Sequence, residues 1–146
     1  MRDMSPADFY SGLESLVSSL NREVPMGKLR ILVADDEEGI RESLQLILGE
    51  DYELDFANDG HETLTKLTSE RYDLVLLDIK MPKLDGLEVM KRLKEQPVSV
   101  PVLILTAYQS VELAKEAVKL GALDYLPKPF EREQILDAVR GVLARH

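Results

Sequence analysis

The chain has 146 residues, 45% of them apolar and 31% charged, with 27 acids against 18 bases and a formal net charge of -9. That length fits one domain with its own core, and a chain this acidic is a poor match for nucleic acid, where Lys and Arg must replace condensed counterions. No apolar run nears the roughly 18 to 20 residues that span a bilayer, no basic-then-apolar leader is present, and the lack of cysteine removes disulfides and thiolate metal sites, so a cytoplasmic protein without membrane or nucleic-acid contacts is expected.

The first signal along the chain is a helix start, Ser5-Pro6-Ala7-Asp8, with a capping hydroxyl, a proline in the first turn and an acid three residues after the cap. Phe9, Leu13, Leu16, Val17 and Leu20 fall on one face beyond it, and Pro25 and Gly27 end the segment. Residues 1–28 therefore read as a helical extension and linker, and 29–146 as the domain proper. An apolar seam of about two heptads is marginal alone in water. It must pack on protein, either the domain's own flank or the same helix of a second chain, and the seam favours a homodimer.

From Leu29 onward strands and helices alternate. Strands read at 29–34, 52–57, 73–77, 101–106 and 123–126, and helices at roughly 38–49, 60–69, 85–95, 110–120 and 131–145. Apolar stripes at helical spacing support the helices: Ile40, Leu44, Ile47 and Leu48; Leu87, Met90 and Leu93; Leu113, Ala117 and Val118; Ile135, Val139 and Val142. Strict alternation with short connections predicts an α/β fold, a doubly wound five-stranded parallel sheet with helices on both faces. Tyr52-Glu-Leu-Asp-Phe56 alternates apolar and polar, as an edge strand would.

Chemistry gathers where the strands end. Asp35 and Asp36 close the run Ile31-Leu-Val-Ala, Asp78 closes Leu74-Val-Leu-Leu, Thr106 closes Val102-Leu-Ile-Leu, and Lys128 follows Leu123 to Pro127. In open α/β sheets ligands collect at these carboxyl ends. Three carboxylates on two neighbouring strands would repel one another and raise each other's pKa unless a cation sits among them, and hard oxygen donors at this density favour Mg2+. Either acid of the pair alone would read as a helix cap; three together do not. Lys128 stands between Pro127 and Pro129, which hold it in a fixed turn, and an X-Pro bond in so tight a turn is a candidate for the cis isomer. Tyr125 alone would be a half-buried core residue, and His61 and His146 have no neighbours suggesting a ligand role.

Asp35-Asp36, Asp78-Ile-Lys-Met-Pro-Lys-Leu-Asp-Gly86, Thr106-Ala107 and Lys128-Pro129-Phe130 together closely resemble the receiver (phosphoacceptor) domain of two-component response regulators, over Leu29 to about Arg145. The resemblance implies the flavodoxin-like (βα)5 fold and a signalling switch rather than an enzyme. It implies that Asp78 accepts a phosphoryl group from a sensor histidine kinase or a histidine phosphotransfer protein. Mg2+ would be held by Asp35, Asp36, Asp78 and the backbone carbonyl of Lys80. Thr106 and Lys128 would contact the phosphoryl group, Tyr125 would be the switch aromatic, and the surface of helix four, strand five and helix five would respond. Lys80 and Tyr108 would flank the path of hydrolytic water and lengthen the life of the acyl phosphate. The wording from Thr106 to Phe130 is most similar to receivers of sigma-54-type activators, so the receiver portion of a longer transcription regulator is one alternative, and a non-phosphorylated interaction module another. A phosphatase with an aspartyl nucleophile would want a second acid two residues after Asp78, where Lys80 stands.

Overall fold

The structure is a computed structural model that describes residues 27–107 and 110–145. The expected amino-terminal helix, Tyr108 and His146 lie outside the described residues. The strands are β1 (Arg30–Ala34), β2 (Glu53–Ala57), β3 (Leu74–Leu77), β4 (Val102–Thr106) and β5 (Asp124–Pro127), of which β1, β3 and β4 are aliphatic runs. The helices are α1 (Glu38–Leu48), α2 (Gly60–Ser69), α3 (Gly86–Lys94), α4 (Val111–Lys119) and α5 (Arg132–Arg145).

All strands are parallel, in the order β2-β1-β3-β4-β5. This is the doubly wound arrangement that the alternation predicts. Successive strand residues point to opposite faces, so each central strand feeds two cores. Ile31, Val33, Leu74, Leu76, Leu103 and Leu105 pack with Leu44 and Leu48 of α1 and Ile135, Val139 and Val142 of α5. Leu32, Ala34, Val75, Leu77, Val102 and Ile104 pack with α2, α3 and α4 through Leu67, Leu87, Met90, Leu93 and Ala117. The expected edge strand β2 is at one end of the sheet, with Leu54 and Phe56 only half-buried.

One stripe is corrected. Val118, expected on the buried face of α4, is 60% exposed, whereas Ala117 is fully buried. One residue is 100° of helix, and that step carries Val118 out of the interface, leaving Leu113 and Ala117 to face the sheet.

A polar cluster ties β2 to the start of β1 and to α2. The Tyr72 hydroxyl donates to Asp55 Oδ2 at 2.6 Å, Lys66 Nζ donates to Asp55 Oδ1 at 3.1 Å, and the Arg30 guanidinium lies 4.6 Å from the centre of the Tyr72 ring. Burial pushes the Tyr72 hydroxyl up, and the Asp55 charge adds to it. Burial also works against the Asp55 charge, but the bonds from Tyr72, the Phe56 N–H and Lys66 outweigh it and hold the carboxyl below its usual range. A depressed carboxyl contributes stability that is full above the unfolded value, about 3.9, and lost as the pH falls through the lower folded value. Tyr72→Phe should therefore cost about 1 kcal/mol at pH 7. The difference between wild type and variant in urea unfolding should shrink as the pH is lowered through that range.

Candidate functional site

The register of β1 and β3 builds the site. Ala34 pairs with Leu77, so the next residues, Asp35 and Asp78, leave the sheet side by side. Their backbones stay tied: the Asp78 N–H donates to the Ala34 carbonyl at 3.0 Å and the Asp35 N–H to the Ala57 carbonyl at 3.1 Å. On the other side of β3, Thr106 ends β4, and its carbonyl accepts the Lys128 N–H at 2.9 Å. The Lys128–Pro129 peptide is cis, the isomer for which so tight a turn makes it a candidate.

The loop from Asp78 to Gly86 is held from two directions. The Gly86 N–H donates to the Ile79 carbonyl at 2.7 Å, and a side chain at Gly86 would collide with the Asp78 carbonyl oxygen, which cannot yield. A side chain at Gly60 would likewise strike the Leu84 carbonyl, so the start of α2 seats directly against this loop. Lys83, in the left-handed region at φ 70°, pairs with Asp59 at 3.5 Å. Asp85 then caps α3 by accepting the Glu88 N–H at 2.9 Å.

Four polar residues of the site are buried: Asp35, Asp78, Thr106 and Lys128, none more than 7% exposed. Lys128 Nζ lies 2.7 Å from Asp35 Oδ2, 3.1 Å from Asp78 Oδ2 and 3.4 Å from Glu37 Oε1. Burial opposes the charge on Lys128, but Asp35 and Asp78 outweigh it and raise the ammonium pKa above its ordinary value. Burial raises the Asp35 carboxyl above the usual range despite Lys128 and the Glu37 N–H. Tyr125, half-buried on β5 opposite Ile104, has its hydroxyl pushed up by burial and by the Asp78 charge.

The donor set fits a hard divalent cation. Asp35, Asp36 and Asp78 each offer a carboxylate oxygen, all within 4.8 Å of one another, with Asp36 exposed toward solvent. Asp35 Oδ2 is buried, and its one near partner among the described side chains is the Lys128 ammonium at 2.7 Å. One ammonium faces two buried carboxylates and an exposed one, and this surplus of oxygen charge is what a cation with oxygen ligands would neutralise. Asp36, Glu37, Asp78, Lys80, Thr106, Ala107 and Lys128 line an open cleft of about 440 Å³ above these groups. The Lys80 N–H donates to Asp78 Oδ1 at 3.3 Å, placing that peptide on the cleft wall.

Among the described residues, Asp35, Asp36, Asp78, Lys80, Thr106 and Lys128 thus lie at one end of the sheet, with Tyr125 on the adjoining strand. His61 is exposed on α2. Glu37 was not anticipated. Its signal was the third acid in a row, at a helix-capping position where a shorter side chain is preferred.

The profile of the response regulator receiver domain matches residues 31–140. Among curated relatives, the response regulator MprA of Mycolicibacterium vanbaalenii is 45% identical over 118 residues, 80% of this chain and 51% of that protein. MprA of Mycobacterium avium is 44% identical over the same length, 52% of that protein. This chain therefore spans about half the length of the curated relatives it matches. Among solved structures, a CheY-like receiver domain protein from Methanospirillum hungatei superposes with a TM-score of 0.76 at 30% identity, over 82% of this chain and 96% of that one. The receiver domain of the sensor histidine kinase PA1611 from Pseudomonas aeruginosa, solved with magnesium coordinated in its active-site cleft, gives 0.74 at 25% identity, over 81% of this chain and 99% of that one. Fold, strand-end acids and matched profile agree: the chain belongs to the response regulator receiver domain family.

Proposed function

We propose that Asp78 accepts a phosphoryl group from the phosphohistidine of a sensor kinase or phosphotransfer protein, with Mg2+ held by the carboxylates of Asp35, Asp36 and Asp78 and the Lys80 carbonyl. The observation that carries this reading is the buried pair of carboxylates, Asp35 and Asp78, sharing one ammonium beneath an open, acid-rimmed cleft. When bound, Mg2+ supplies charge neutralisation and alignment for the incoming phosphoryl oxygens. The chain's own residues do the rest. An Asp78 oxygen bonds to phosphorus as the phosphorus–nitrogen bond breaks, its electron pair passing to the donor imidazole. Lys128 is already 3.1 Å from Asp78 and needs little movement to meet a phosphoryl oxygen. The Thr106 hydroxyl is the neutral donor on the β4 side.

The product carries nearly two negative charges where one stood. Lys128 and Thr106 are proposed to turn toward the phosphoryl group, and Tyr125 to move into space that Thr106 vacates. That shifts the surface of α4, β5 and α5 between two states, by no more than the difference in their contacts with the phosphoryl group. Incubation with Mg2+ and a small phosphodonor should add one base-labile phosphoryl group, which Asp78→Asn should abolish. Stoichiometric labelling of that variant, read by intact mass, would overturn the assignment.

For residues 1–28 we propose a separate helical extension whose Phe9, Leu13, Leu16 and Leu20 seam pairs two copies of the chain. Light scattering should then give a dimer for the full chain and a monomer for a version starting at Met26. Equal particle masses, one chain each, would contradict the proposal.

A further inference from the structure

Glu37 begins α1 at its capping position but does not cap it. The caps of α2, α3 and α4, Asp59, Asp85 and Ser110, each accept the N–H three residues on. Glu37 has one methylene more than an aspartate, and its carboxylate instead reaches Lys128, 91 residues away in sequence, at 3.4 Å. Its backbone N–H meanwhile donates to Asp35 Oδ1 at 2.9 Å. One residue thus touches both charged partners at the floor of the cleft.

The ammonium of Lys128 has three protons to give and faces three carboxylates. Two of them are built into the floor: the side chains of Asp35 and Asp78 are 2% and 7% exposed. Glu37 is different, with a side chain 60% exposed and standing at the mouth. It is also the longest contact of the three. A phosphoryl group on Asp78 must fill the open cleft and needs a donor from Lys128, and the partner most easily released is the exposed one.

We propose that Glu37 is the exchangeable partner of Lys128, a positioning residue that holds the ammonium while Asp78 is unphosphorylated and gives way to a phosphoryl oxygen. This rests on Asp78 being the phosphoacceptor. Glu37 also places a negative charge on the route of an anionic donor, so it sets how readily the site loads. Through a largely aqueous cleft, one nearby charge against a near-dianion changes an equilibrium roughly three- to tenfold.

The test uses the full chain at saturating Mg2+, with acetyl phosphate as donor and beryllofluoride as a reversible phosphoryl mimic. Glu37→Gln should be labelled roughly three- to tenfold faster than wild type and bind beryllofluoride tighter by a similar factor. The advantage should shrink as ionic strength rises, because the rim is open to screening. Glu38→Gln makes the same change in net charge at the next residue, exposed and in the first turn of α1, and should stay within about twofold of wild type. Equal or slower labelling of Glu37→Gln with unchanged beryllofluoride affinity would overturn the inference. So would a Glu38→Gln effect as large as that of Glu37→Gln, which would reduce it to net charge. If wild type takes no label, or Asp78→Asn takes as much, it is the phosphoacceptor assignment that fails.

Discussion

The site depends on one ammonium placed between two buried carboxylates. Lys128 meets Asp35 and Asp78 at 2.7 and 3.1 Å, and all three are nearly out of water. Charges so placed are costly unless paired, and here the pairing is incomplete: one positive charge faces two negative ones, with Asp36 and Glu37 adding more at the rim. A folded chain that keeps such an imbalance holds a place for added positive charge. The arrangement is better suited to exchanging partners than to maximal stability, since each carboxylate has Lys128 as a local alternative to a cation.

The fold supplies the rigidity that this imbalance needs. Parallel pairing of β1 and β3 fixes Asp35 beside Asp78, and the carbonyl of Thr106 fixes the backbone of Lys128. Gly86 and Gly60 let two stretches of backbone approach where any side chain would collide. The loop carrying the Lys80 peptide is therefore clamped between the sheet and the start of α2. These contacts explain why the motif after Asp78 needs its glycine: the close approach is to the carbonyl of Asp78 itself.

Much of this was legible in the sequence, for physical reasons. Unbroken aliphatic runs mark buried parallel strands, and polar residues ending them mark the edge where ligands collect, so the sheet and the clustering of Asp35, Asp36, Asp78, Thr106 and Lys128 follow from the sequence alone. Three things were not legible. Periodicity could not tell Ala117 from Val118, because the width of the buried stripe depends on how α4 sits on the sheet. Nor could it say which of two adjacent acids turns inward: Asp35 is buried and Asp36 exposed. Glu37 escaped because a glutamate at a helix start reads as a solvated charge on the helix dipole, and only the return of the chain 91 residues later brings Lys128 to it.

The central claim, that Lys128 and a divalent cation neutralise the same buried carboxylates, is tested most directly by Mg2+-dependent unfolding of Lys128→Met and wild type at neutral pH. Removing one partner of a buried pair costs about 3 to 5 kcal/mol. The variant should be destabilised by that order without metal, and Mg2+ should raise its unfolding midpoint more than that of wild type. A variant as stable as wild type without metal, or one whose midpoint Mg2+ leaves unmoved, would contradict the account.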